Sequence, residues 1–327
     1  MHIKMSIRKK LILTCDTEAL EFPIKVDSFY RNIFGKVFSG DSQCGGIERM
    51  MEICDRFSVK INFFYDVFTE YSRHGANHDV AECILGNGHH MSLHAHIEHL
   101  PDLWWHQRGY KKPTWAANYF DDTAATYVYE DAVKLFKKAA GFQPLAFRAG
   151  SWRYCRQTLN AVWSAGIKYS FNYYPLSAIR SSFPHGPDAG ILNAFQWSNG
   201  LIEVPTTCVR GPTVFSNNQK YVGFEAQIFT KGIDYIQYLK ILENNHPEID
   251  TIVFVLHSWS FMNRIDGVYA TYSEEKANAF TSFIESTVDK YDFVDLNFNL
   301  PFSHDPEHMM HVPIEFAGEG GSPLQRL

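Results

Sequence analysis

Apolar runs of strand length alternate with stretches of helical periodicity along almost the whole chain. Leu11 to Thr14 has the continuous apolar character of a buried strand; Ile47, Met50, Met51, Cys54 and Phe57 then fall on one helical face, and VKINFF (59–64) reads as the next strand. Met91 to His94 supplies a third. Val128, Ala132, Leu135, Phe136 and Ala139 share one side of a helix that Gly141 ends, since glycine accepts the left-handed conformation of a C-terminal cap, and PLAFR (144–148) follows as a strand. The alternation continues with a helix over 157–165, capped near Gly166, and an extended IKYSF (167–171). Beyond a long loop lie LIEVP (201–205), a helix around Ile236, Leu239 and Leu242, and TIVFVL (251–256), the clearest buried strand. A last helix from Ser273 to about Val288, with Ala277, Phe280, Ile284 and Val288 on one side, leads into FVDLNF (293–298).

Strand followed by helix, seven or eight times over, predicts an α/β fold with a parallel sheet and helical crossovers. At 327 residues the natural closure is a distorted (β/α) barrel of seven or eight strands, with its active site at the C-terminal ends of the strands. No linker divides the chain, so a single domain over 1–327 is expected, with a loosely ordered tail from about 302 that contains GEGGSP. Apolar residues at 45% and aromatics at 15% supply a sizeable core and exclude disorder. A net charge of −6, with no basic run beyond IRKK, leaves no footprint for nucleic acid. The opening MHIKMSIRKKLILTCD imitates a lipoprotein signal, but the apolar run Leu11-Ile12-Leu13 is too short for one and Asp16 follows at once. No stretch approaches the ~20 apolar residues of a membrane span. Six scattered cysteines with no CxxC pair complete the expectation of a cytoplasmic protein.

Polar residues fall where this barrel would build a site. Asp16 and Glu18 follow the first strand, His94 ends the third, Arg148 ends PLAFR and His257 ends TIVFVL. Each has a plainer reading alone: DTE (16–18) as turn acids, a histidine as a satisfied surface or core imidazole, Arg148 as a structural ion-pair partner. Their arrival at one mouth favours chemistry. LHAHIEH (93–99) puts His94 and His96 on the same side of an extended segment, and His96 and His99 on one face of a helix. Either geometry suits a divalent ion, and a carboxylate with two histidines is a recurrent catalytic zinc arrangement.

At these residues the chain resembles the polysaccharide deacetylase family, the NodB-homology, carbohydrate esterase 4-like enzymes, in the same order from about Leu11 to Leu300. GGIERMMEICDRFSVKINFF (45–64), NGHHMSLHAH (87–96), FRAGSWRY (147–154) and VFVLHSWS (253–260) stand at four of its motifs. The resemblance implies hydrolysis of an N-acetyl or other N-acyl group from an amino sugar, with one divalent metal, zinc first. It makes Asp16 the base and Glu18 a metal ligand, although DTE replaces two adjacent aspartates and leaves the swapped assignment open. His94 and His96 are the histidine ligands it implies, with His99 or Glu98 as rivals because the usual pattern is HxxxH. Arg148 would pair with Asp16, His257 would protonate the leaving amine, and Trp152 and Leu256 would shape the acetyl pocket. AGSW in the third motif is similar to a subgroup linked to bacterial surface-polysaccharide biosynthesis. The aromatic faces, Arg108, Lys111 and Lys112 of PDLWWHQRGYKKPTW (101–115) suit a sugar joined to a phosphate or carboxylate, as in a nucleotide- or lipid-linked substrate, and equally suit tryptophans that only cover the barrel. Two other readings stay open: an amidohydrolase acting on a non-sugar amide, and a glycan-binding relative without catalysis. The sequence does not fix an oligomeric state.

Overall fold

Side chains alternate between two environments along each central strand. Leu11, Leu13 and Cys15, like Phe63, Tyr65, Phe254 and Leu256, belong to the large core beneath the helices, whereas Ile12, Phe64, Ala146, Phe171, Val253 and Val255 pack together on the other face. Two apolar faces require helices outside and a curled sheet inside. The computed structural model describes residues 8–19, 26–35, 44–113, 121–174, 191–210, 221–265, 268–296 and 309–318.

In chain order the strands are β1 (Lys10–Thr17), β2 (Asn62–Asp66), β3 (His90–Ala95), β4 (Ala146–Ala149), β5 (Tyr169–Ser170), β6 (Phe195–Trp197) and β7 (Ile202–Glu203). They continue with β8 (Cys208–Arg210), β9 (Tyr221–Gly223), β10 (Thr251–His257), β11 (Met262–Ile265), β12 (Val268–Tyr272), β13 (Asp292–Phe293) and β14 (His311–Val312). The main sheet runs β10-β1-β2-β3-β4-β5-β7-β6-β14, with β13 also on β1, and every pairing in it is parallel except β6 with β7. Its two ends do not pair with each other among the described residues, so the barrel is a half-barrel. Eight strands read from the sequence are β1 to β5, β7, β10 and β13. β6 and β14 extend the edge beyond them, and β8–β9 and β11–β12 form separate two-stranded ribbons.

Helices fill the crossovers as the apolar spacing requires. The helix Asp122–Ala140 begins where the Asp121 carboxylate accepts from Thr123 and Ala124 N–H, and it ends at Gly141, whose φ of 82° lets its N–H reach the Lys137 carbonyl. Glu274–Thr287 starts under the Ser273 side chain, which accepts from Lys276 N–H. No helix among the described residues is long and apolar enough to cross a membrane. The tail differs from expectation over 309–318: β14 pairs with β6, and Val312, Ile314 and Ala317 are buried. Arg156 N–H also donates to the Gly318 carbonyl at 2.8 Å. Apolar side chains and a free strand edge give that segment somewhere to bind; the rest of 302–327 lies outside the described residues.

One buried imidazole makes the fold sensitive to acid. His89 accepts the Ile61 N–H at Nδ1 (3.0 Å), and its Nε2 lies 3.3 Å from Asp55. Burial, helped by the Lys60 charge, pushes its pKa from 6.5 down to about 4. The unfolded chain therefore takes up a proton that the folded chain resists, so this contribution is complete above pH 6.5 and is lost as the pH falls to about 4. Urea unfolding of the wild type and His89→Asn at pH 7 and 4.5 should show the wild type losing about 2 kcal/mol more across that interval.

Candidate metal centre and acid–base site

Strand register sets the site. Asp16 is the partner of His257 across β1 and β10, Asp66 of His94 across β2 and β3, and His94 of Arg148 across β3 and β4. Counting inward positions along β1, Ile12 is followed by Thr14 and Asp16; along β10, Val253 and Val255 are followed by His257. The inner face is thus apolar below and polar at the C-terminal rim.

Arg148 is wholly buried. Its Nη1 donates to Asp16 Oδ1 at 2.6 Å, its Nη2 to Thr14 Oγ1 at 3.1 Å and its Nε to the Phe171 carbonyl at 3.3 Å, while the Phe64 ring lies 4.5 Å from its Cζ. A guanidinium without water needs this full set of acceptors and one compensating charge. Asp16, 2% exposed, supplies the charge and is fixed in orientation by it.

Glu18, His94 and His96 each offer a ligand atom, all within 4.8 Å of one another. His94 Nδ1–H donates to the Arg148 carbonyl at 2.8 Å, which leaves Nε2 facing Glu18 Oε2 at 3.0 Å. His96 Nδ1–H donates to Glu98 Oε1 at 2.9 Å, and its Nε2 also meets Glu18 Oε2. Both imidazoles have the outer nitrogen committed as a donor and the inner nitrogen turned to one carboxylate, the arrangement of metal-bound histidines. Burial works to raise the Glu18 pKa, but the two imidazoles overcome it and hold the carboxyl well below its ordinary range. Burial likewise opposes a charge on His96, and Glu18 with Glu98 reverses that and raises its pKa well above 6.5. Two imidazole nitrogens and one carboxylate oxygen converging on one point form a donor set that a divalent cation such as zinc fits.

The rivals to His96, His99 and Glu98, both adjoin its ring. His99 Nδ1 is bonded to Asp66 Oδ2, its ring stacked on His96 at 5.1 Å, and Glu98 sits behind His96. Gly150 makes room for the ligand ring, since a Cβ there would come within 2.6 Å of His96 Nδ1.

His257 is 7% exposed, stacked on Trp259 (5.0 Å, 29°) and edge-on to Trp152 (6.4 Å), and its Nδ1 is buried without a hydrogen-bond partner among the described residues. Trp152 is half-buried, stacks on Tyr174 at 5.1 Å and donates from Nε1 to Thr206 Oγ1 at 3.2 Å. Ser151 and Trp152 both have left-handed backbone, φ 54° and 51°, strain of the kind found where a side chain is presented for use. Leu256 does not join them: it is fully buried in the core beneath the helices, because the residue before His257 on a strand must face the opposite way. Asp66, Gly150, Tyr174 and Trp259 were not singled out from sequence. Asp66 carried the available signal, an acid at the end of an apolar strand like Asp16.

The half-barrel with this rim has the NodB-like polysaccharide deacetylase fold. No family model and no curated protein matches the sequence. Among solved structures, a putative polysaccharide deacetylase from Mycobacterium smegmatis superposes with a TM-score of 0.54 at 14% identity, covering 89% of this chain and 88% of that one. Puue allantoinase gives 0.52 at 16%, over 88% and 87%. A 4-alpha-glucanotransferase from Thermococcus litoralis gives 0.53 at 13%, over 88% of this chain and 39% of that one.

Replacing Arg148 with methionine should leave Asp16 buried without its counter-charge and cost on the order of 3–5 kcal/mol in urea unfolding, whereas the Arg148→Met/Asp16→Asn double variant should recover part of that loss.

Proposed function

We propose that the protein is a zinc-dependent N-deacetylase of an amino sugar. The observation that carries this reading is the convergence of Glu18, His94 and His96 beside the buried Asp16–Arg148 pair, at the rim where His257 also ends its strand. The putative polysaccharide deacetylase from Mycobacterium smegmatis, with the same fold, supports the choice of substrate class.

A divalent metal held by Glu18, His94 and His96 supplies Lewis-acid polarisation of the acyl carbonyl and acidifies the attacking water. Asp16 is the base: Oδ1 is taken by Arg148, and Oδ2, with no hydrogen bond from the described residues, removes the proton as the water oxygen attacks the carbonyl carbon. His257 gives its proton to the amide nitrogen as the C–N bond breaks, releasing a free amine and a carboxylate. Trp152 walls the approach to His257 and takes the apolar face of the acyl group or sugar.

Nucleotide- or lipid-linked amino sugars of surface-polysaccharide biosynthesis are the substrates to screen first, which sets the reaction in the cytoplasm. The segment running on from His99 carries Arg108, 3.8 Å over the Trp104 ring, and Lys112, near enough to Glu98 to feel its charge. Trp115 of the same stretch lies outside the described residues. Puue allantoinase, equally close in fold, gives the competing reading of a cyclic amide substrate.

Elemental analysis should find one metal per wild-type chain and its loss in both His94→Ala and His96→Ala. Acetate release from N-acetylated sugars, with no turnover of allantoin, would support the deacetylase; the opposite result would transfer the protein to amide-ring hydrolysis. Asp16→Asn should keep its metal and lower kcat by about a hundred- to ten-thousand-fold.

A further inference from the structure

His94 and His96 are not held alike. His94 lies within β3, where pairing with β2 and β4 fixes its backbone. His96 lies beyond the strand end, ahead of the short 3-10 turn Ile97–His99, so its orientation has to come from side chains. Four contacts supply it. Asp66 Oδ1 accepts the His96 backbone N–H at 3.1 Å, and Asp66 Oδ2 holds His99, whose ring stacks on that of His96 with 25° between their planes. Gly150 closes the ring in from another side, and Glu98 Oε1 accepts from Nδ1–H.

From this geometry we propose that Glu98 is the positioning residue of the metal centre: it fixes the tautomer of His96 so that Nε2 is the ligating atom, within a clamp that Asp66 and His99 complete. The proposal rests on the reading of Glu18, His94 and His96 as ligands. Glu98 occupies the side of the imidazole turned away from Glu18, and among the described residues only Glu18, His94 and His96 bring ligand atoms together, so neither Glu98 nor His99 takes the place of His96. A carboxylate behind a ligating imidazole orients the ring and strengthens it as a donor, and loss of such a partner weakens metal binding by about 10- to 100-fold.

Zinc affinity, measured by competition with a chromophoric chelator, tests this on the full chain, with thermal unfolding in excess chelator as the measure of the metal-free fold. Glu98→Ala should bind zinc about 10- to 100-fold more weakly than the wild type and Glu98→Gln less severely so, both still unfolding cooperatively in excess chelator. His99→Phe, which keeps a ring against His96, should bind within about threefold of the wild type. Wild-type affinity in both Glu98 variants would overturn the positioning role while leaving the metal reading intact. Abolition of binding in His99→Phe would overturn it by making His99 the ligand, and a wild type that takes up no zinc would overturn both readings together.

Discussion

The buried guanidinium of Arg148 is the contact on which the two halves of the site depend. Its side chain crosses the lumen from β4 to β1 and fixes Asp16, while its backbone carbonyl takes the Nδ1–H of His94 and so decides which nitrogen of that ring faces Glu18. One residue therefore orients the proposed base and a proposed ligand at once. This coupling is possible because β3 and β4 are parallel neighbours and β1 lies opposite across the curled inner face. A lysine could not replace it, because its donors all sit on one nitrogen and lack the planar fork that reaches Asp16, Thr14 and the Phe171 carbonyl from three separate nitrogens.

Much of this was legible in the sequence for a simple reason: parallel strands buried on both faces are continuous apolar runs, and such runs end abruptly where the mouth begins. Asp16, His94, Arg148 and His257 stood at those ends, and the structure brings all four to one rim. Spacing two also placed His94 and His96 on the same side, as their shared approach to Glu18 shows. Boundaries were less legible. VKINFF begins three residues too early for pairing, because Ser58 takes a left-handed φ of 57° and β2 enters the sheet only where Asn62 meets Thr14.

Other features left little trace. β6, β14 and the ribbons are short segments whose pairing is decided by whatever edge lies near, which no local period encodes. The helix Ala76–Gly86 was missed because its buried positions include Asn77 beside Val80, Ala81 and Ile84, so polarity does not mark its inner face. Leu256 was misread for the opposite reason: the information was present. Adjacent residues of a strand face opposite sides, so once His257 is assigned to the mouth, Leu256 belongs to the helices.

The fold alone does not select the reaction, since a deacetylase, an allantoinase and a glucanotransferase share it at similar TM-scores. What selects is the rim. Three donors converging on one point, each imidazole backed by its own acceptor, would serve carbonyl activation as proposed; a purely structural cluster would have no need to leave both inner nitrogens turned to a single carboxylate. Across the mouth the wall is aromatic, with Trp152 stacked on Tyr174 and Trp259 on His257. The left-handed backbone at Ser151 and Trp152 is strain that packing alone would relax, and it turns an indole toward the proposed acid. A polar, metal-ready side facing an apolar one matches an amide on a sugar, whose carbonyl must be polarised while its methyl group and ring faces are held dry.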